Sequence, residues 1–343
     1  MKAFLKSHEF IILSAIVLYS AMVAMINPGA FFTLSTLFDL LKGASIHGIL
    51  ALGVLLVILT GGVDLSFPAV GAFSSYVAIL LFKSMGWSSL AGIFAVAIAI
   101  GILLGMLNGL LVHKLRAPAM IVTLGTSSVI YGTLLFAFGS TVIFSLPVAL
   151  RKFSNAAVVS AESVAGTTSL HPVVLIWLTL AALCFFFLTY TLRGRFLYAA
   201  GGNYSVCERA GISMRGLQIM VFSAVGALSA IAAVAFSGLY RMVSPITFLG
   251  EELDVIAAVV LGGTSIMGGR GTVLGTLLGV LLITLMKNSL ILIGIPSEWQ
   301  KFMVGVLLLI GVTGPILHER YKRNRAVKAD AKKASLTLHM EER

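Results

Sequence analysis

Three short stretches hold the residue types that could do chemistry. The first is Thr60-Gly61-Gly62-Val63-Asp64-Leu65-Ser66. The second opens with Glu251, Glu252 and Asp254, runs through Val255–Leu261 into Gly262-Gly263-Thr264-Ser265, and ends in Gly268, Gly269 and Gly271. The third is the polar, basic loop from Arg193 to Arg215. A carboxylate close to membrane depth is costly and is a functional hypothesis by default, which singles out Asp64 and Asp254. Both also have a plain structural role open to them. Asp64 or Ser66 can cap a helix that carries Pro68 in its first turn, and Glu251, Glu252 and Asp254 suit the positive end of a helix that follows them. These acids are few and are not paired with spaced bases, so no proton or ion relay is evident. No lysine follows a glycine anywhere in the chain, which excludes a P-loop. There is neither a His/Glu metal spacing nor a nucleophile elbow. Cys184 and Cys207 are unclustered and read as packing thiols. No catalytic, cofactor-binding or metal site is expected, and any energy for transport would come from another subunit.

The elements that must position these stretches are membrane helices. Of 343 residues, 59% are hydrophobic and only 11% charged, where a soluble domain carries about 25% charged residues; the mean hydropathy is +1.04. The net charge of +11 could suggest nucleic acid. Its placement does not: Lys and Arg sit at the ends of apolar runs and in the C-terminal tail, as basic residues do on the cytoplasmic side. The apolar runs predict spans at 10–26, 46–59, 67–82, 88–112, 119–138, 172–192, 217–239, 272–286 and 302–317. Residues 31–42 either lie at the interface or begin the second span. Thr141–Ser169 is expected to be an ordered extramembrane loop. Val255–Leu261 is too short to cross a hydrocarbon layer, which takes ~20 helical residues. A short apolar segment broken by glycines must be buried in protein or line a wet cavity.

The expectation is therefore an all-α membrane protein of about ten transmembrane helices, with a broken or re-entrant element near 253–271 and both termini cytoplasmic. Residues 1–318 form one transmembrane permease domain, and 319–343 a basic cytoplasmic tail suited to anionic lipid. The first apolar run lacks a small-residue cleavage site and reads as a retained helix. Most basic residues fall inside on this ladder, among them Lys114, Arg116, Arg193–Arg215 and Arg270. The halves also echo each other, since an apolar helix reaches a double glycine at Gly61-Gly62 and again at Gly262-Gly263 and then restarts. Internal repeats in a transporter leave that pattern.

At these stretches the chain resembles the permease subunits of bacterial ABC sugar importers of the ribose/galactose/xylose type, within the larger family that also holds branched-chain amino-acid permeases. Leu59-Thr60-Gly61-Gly62-Val63-Asp64-Leu65-Ser66 is similar to the family's (S/T)GGIDLS signature. Gly194 to Asn203, with Ala210-Gly211-Ile212, resembles its G-x-x-x-Y-A-x-G-G-N…GI loop, and Glu252–Ser265 with Gly268-Gly269-Arg270-Gly271 resembles its ELDAIAAVVLGGTS…GGxG segment. Departures are Ser205, Val206, Cys207 and Glu208 in place of small, Ala-rich residues, and Phe67-Pro68 where Val-Gly is more usual.

The resemblance implies an ATP-driven, binding-protein-dependent importer whose translocation subunit is this chain, with no enzyme activity of its own and no cofactor. It implies a cytoplasmic ABC ATPase, a periplasmic or extracellular sugar-binding protein, a second permease copy or paralogue, and surrounding membrane lipid of the bacterial inner membrane; nucleic acid is not a partner. It places the ATPase-coupling loop at Gly194, Tyr198, Gly201, Gly202, Asn203, Glu208, Gly211 and Ile212, where the residues themselves also predict a short helix over Tyr204–Ala210 closed by Gly211. Candidates for the translocation path or gate are Gly61, Gly62, Asp64, Ser66, Asp254, Gly262, Gly263, Thr264 and Ser265. The alternatives are a permease for another small solute (an amino acid or autoinducer) and an ion-coupled secondary carrier.

Overall fold

In lipid the backbone must satisfy its own N–H and C=O groups, and almost every apolar run here does so as a helix. The computed structural model describes residues 8–26, 28–31, 33–163, 166–296, 298–306 and 309. The basic tail and most of the last apolar run lie outside them. Among the described residues, eight helices are long and apolar enough to cross a membrane. In order the elements are α1 (His8–Ile26), the short α2 (Pro28–Phe31), α3 (Leu34–Leu59), α4 (Phe67–Ser84), α5 (Leu90–Leu115), α6 (Ala119–Phe138), α7 (Val148–Ser154), strands β1 (Val159–Ser163) and β2 (Gly166–Leu170), α8 (Val173–Tyr190), α9 (Leu192–Gly202), α10 (Tyr204–Arg209), α11 (Met214–Tyr240), α12 (Glu252–Leu261) and α13 (Val273–Leu292). Residues 298–306 are again helical.

The chain is an all-α membrane protein, and the one sheet among the described residues is the antiparallel β1–β2 pair. That pair and α7 occupy the expected extramembrane loop, which is tied to the segment after α11 by the Ile143–Val243 bridge. Residues 34–42 begin α3, so the second span starts earlier than the apolar run alone indicates. Thr33 caps it by accepting the Thr36 N–H at 3.1 Å. From Ala44 to Leu59 every residue of α3 except His47 is buried. A helix apolar all round belongs in the middle of a bundle, and α3 packs against α8, α11, α12 and α13. Outward side chains such as Phe136, Leu103 and Leu183 are exposed, as a lipid-facing surface requires.

The most extensive packing among the described helices is that of α5 on α11. Gly101, Gly105 and Gly109 recur every four residues along one stripe of α5 and meet the α11 backbone. A Cβ at Gly109 would lie 2.8 Å from the Ile219 Cα, and one at Gly105 would overlap the Phe222 carbonyl. Without a hydrophobic drive between helices in lipid, such close approach is what holds them together. Gly105→Val is therefore expected to cost about 3 kcal/mol, the upper end for overpacking. Gly125→Val, whose Cβ meets nothing within 4 Å, should leave thermal melting in detergent unchanged. Equal melting temperatures for the two variants would contradict this packing.

Candidate functional site

The first and second stretches meet. α3 ends at Leu59, and its last carbonyls are closed by Gly61 N–H to Ile58 O at 2.9 Å and Gly62 N–H to Val57 O at 3.3 Å. Gly61 takes φ +82°, which a side chain would strain. α12 ends the same way, with Gly263 N–H to Val260 O at 2.9 Å, Thr264 N–H to Val259 O at 3.3 Å, and Gly263 at φ +89°. Two successive apolar helices thus stop by one hydrogen-bond pattern. The equivalence is Gly61 with Gly263, one residue out of register from the pairing of double glycines that the sequence suggests.

The breaks touch through backbone. Gly269 N–H donates to Leu59 O at 3.0 Å, and a Cβ at Gly268 would lie 2.7 Å from Gly61 N and 2.9 Å from the Gly201 Cα. The third stretch enters here: Gly201, near the end of α9, is wedged between Leu59 and Gly268-Gly269. The Tyr198 hydroxyl donates to Gly271 O at 3.1 Å, binding α9 to the same loop. Gly61, Gly201 and Gly268 thus form one junction at the end of the bundle whose segments carry Arg193, Arg195 and Arg270 in sequence, the basic face. By the positive-inside rule this face is cytoplasmic.

Asp64 and Ser66 settle a local question. The Asp64 Oδ1 accepts the Ser66 N–H at 2.7 Å and the Ser66 hydroxyl at 2.6 Å, and the Asn108 amide donates to Ser66 Oγ at 2.7 Å. Thr123 Oγ1 accepts the Leu65 N–H at 3.0 Å. Asp64 and Ser66 are buried, and the network fixes the break against α5 and α6. Neither side chain caps α4 in the usual way: Ser66 occupies the cap position without a side-chain cap bond. Ser265 lies in a turn, its N–H donating to Arg270 O at 2.9 Å, while the buried Thr264 hydroxyl has no hydrogen-bond partner among the described residues.

Glu252 and Asp254 stand in the first turn of α12, at its positive end as the sequence reading has them, but Asp254 also reaches a base. The Asp254 side chain does not cap α12. It accepts from Lys287 Nζ at 2.6 Å, across to α13. Glu251 accepts from His47 Nε2 at 2.9 Å, with Lys287 at 3.7 Å. The acids are therefore paired with bases after all, through contacts 33 and 204 residues apart in sequence. Lys287 lies just past the apolar run that ends at Met286, and only the continuation of α13 to Leu292 brings it into the helix. The Glu251 carboxylate thus lies between the His47 imidazole and the Lys287 ammonium.

α12 is ten residues long, about 15 Å of helix. The loop that follows it reaches the end of α3, where Gly268 and Gly269 meet Gly61 and Leu59. α12 lies antiparallel on α13 with glycine at the contacts: a Cβ at Gly262 would reach the Thr276 Cα at 2.9 Å.

The third stretch forms two helices. Thr191 caps α9 by accepting the Gly194 N–H at 3.0 Å, and Asn203 caps α10 by accepting the Val206 N–H at 3.1 Å. Gly211, at φ +83°, and Ile212 close α10, their N–H groups donating to Glu208 O at 3.0 Å and Cys207 O at 3.1 Å. Within α10 only Cys207 is buried; Glu208 and its other neighbours face out, as do Gly202 and Asn203. Gly194 is buried against the Phe187 and Leu188 backbone.

A family described as "Branched-chain amino acid transport system / permease component" matches residues 36–312. The chain belongs to this permease family. The permease is 33% identical over 312 residues to the ribose import permease protein of Escherichia coli K12, covering 91% of this chain and 94% of that one. It is 34% identical over 301 residues to the ribose import permease protein of Haemophilus influenzae, covering 87% and 90%. It is 34% identical over 333 residues to the autoinducer 2 import system permease protein of Klebsiella pneumoniae, covering 96% and 92%. No solved structure matches. The match takes in all three stretches, and with its apolar helices the permease is a multi-pass membrane protein.

Proposed function

We propose that this permease is the translocation subunit of an ATP-driven, binding-protein-dependent importer for a sugar of pentose or hexose type in the bacterial inner membrane. Similarity to ribose import permeases over nine-tenths of both chains carries the reading. A separate cytoplasmic ABC ATPase docks on α9–α10, through the loop Gly194, Tyr198, Gly201, Gly202, Asn203, Glu208, Gly211 and Ile212. The exposed, capped α10 supports that role, since a six-residue helix resting on one buried side chain has an outer face to give to a partner. A sugar-binding protein delivers solute to the opposite face, and a second permease copy or paralogue completes the pore within membrane lipid.

The gate is assigned to the junction. Gly61, Gly62, Gly262, Gly263, Thr264 and Ser265 let three segments meet on backbone, and Asp64 and Ser66 shape the first break. The contact between Gly201 and both breaks supports this reading, because motion of the docking loop is felt there without an intermediary. Affinity purification of the tagged chain from gently solubilised native membranes is expected to retain a P-loop ATPase, whose hydrolysis rises with a binding protein and its sugar. A lone chain that transports in proteoliposomes without ATP would overturn the proposal in favour of an ion-coupled carrier.

A further inference from the structure

Away from the basic face, a cavity of ≈ 130 Å³ opens where α3, α11, α12 and α13 converge. His47, Asp254, Thr284, Lys287 and Asn288 present polar groups to it, and Phe236 with Tyr240 forms an aromatic wall. The two rings pack against each other with centroids 4.5 Å apart. Membrane interiors do not place such polar groups cheaply, and a buried ion pair is weak as a stabilising device. Only part of the hydrogen-bonding capacity here is used. Asp254 engages Lys287 through Oδ2 alone, and among the described residues neither its Oδ1 nor the Asn288 amide has a hydrogen-bond partner. The Asp254 and Lys287 side chains are 12% and 18% exposed, toward the cavity they line.

We propose that this cavity is a solute subsite for a small neutral polyol with an apolar ring face, of the monosaccharide class; the inference rests on the importer reading above. The geometry selects that chemistry. A carboxylate oxygen accepts, the ammonium donates, and an amide does both, so adjacent hydroxyls, each donor and acceptor, can be satisfied together. The aromatic wall covers the C–H face of a sugar ring. The one lining carboxylate, Asp254, is balanced by the one lining ammonium, Lys287, so the cavity favours a neutral solute over an anion or a cation. Placement agrees as well: α12 is a half-helix, and transporters assemble their solute sites at the ends of such elements.

The test is direct binding, with radiolabelled D-ribose and a panel of aldopentoses and aldohexoses as probes, to the permease–ATPase complex in nanodiscs without binding protein. Saturable binding of a panel sugar is expected. Asp254→Asn should weaken it about tenfold, the loss expected for a charge-assisted hydrogen bond, and Asn288→Ala and Thr284→Val about fivefold. Thr284→Val changes no ion pair and nearly keeps side-chain volume, so it reads the site even if the charge variant assembles poorly. The deoxy analogue lacking the hydroxyl bound by Asp254 should bind wild type and Asp254→Asn alike. No saturable sugar on the wild type would overturn the subsite. So would unchanged affinity in all three variants, or a fall in melting temperature without a change in sugar discrimination. Importer function is read separately, by ATP-driven uptake with the binding protein present; intact uptake alongside unaltered binding would defeat the subsite alone.

Discussion

A single methyl group at Gly201 is expected to abolish ATP-driven uptake. Gly201→Ala would set a Cβ against the Leu59 carbonyl and the Gly269 N–H at once, with the Gly268 carbonyl carbon 3.0 Å away. All are backbone atoms, so no side chain can rotate aside. Overpacking usually costs about 1–3 kcal/mol, and a collision with two chain segments belongs at the top of that range. The Leu59–Gly269 hydrogen bond would open, and the docking loop would part from both helix breaks. Gly125→Ala is the matched control, because its Cβ meets nothing within 4 Å and it lies on α6, outside the docking loop. Uptake into proteoliposomes should fall to background for Gly201→Ala and stay within twofold of wild type for Gly125→Ala. Uptake by Gly201→Ala within twofold of wild type would remove the junction from the mechanism.

The second large effect is expected at α10. Val206 is 50% exposed on a helix whose inward anchor is Cys207. Val206→Glu should leave folding alone, since exposed substitutions usually stay within about 0.5 kcal/mol. Against a docked ATPase the same carboxylate would be desolvated without a partner, a penalty of several kcal/mol. The expected outcome is a chain with the wild-type melting temperature, a loss of copurifying ATPase and about 100-fold slower uptake. Wild-type uptake by this variant would move the coupling surface elsewhere.

The sequence made the helices and the short α9–α10 segment legible because each rests on local rules. Apolar runs set the spans, and Asn203 with Gly211 bounded a short helix expected over Tyr204–Ala210 and found at Tyr204–Arg209. What it hid depends on contacts between distant residues. Asp254 and Glu251 looked like helix-start acids, and only the approach of α13 and α3 brings Lys287 and His47 to them. The register of the repeat was off by one, because a double glycine is visible while the single left-handed position is not. Gly101, Gly105 and Gly109 carried a readable signal in their four-residue spacing, a motif for close helix approach in membranes; their partner on α11 did not.

The seam between α5 and α11 restricts how this protein can move. Shear between packed helices needs side chains that can exchange one set of contacts for another. Here the Gly101 and Gly105 stripe lies on the Gly226 and Phe222 backbone, and any slide along the axis would press bulkier residues into the same gap. The two helices must therefore travel together as a strut, and any exchange between outward and inward access has to pivot around them, with the displacement taken up where the chain is already interrupted.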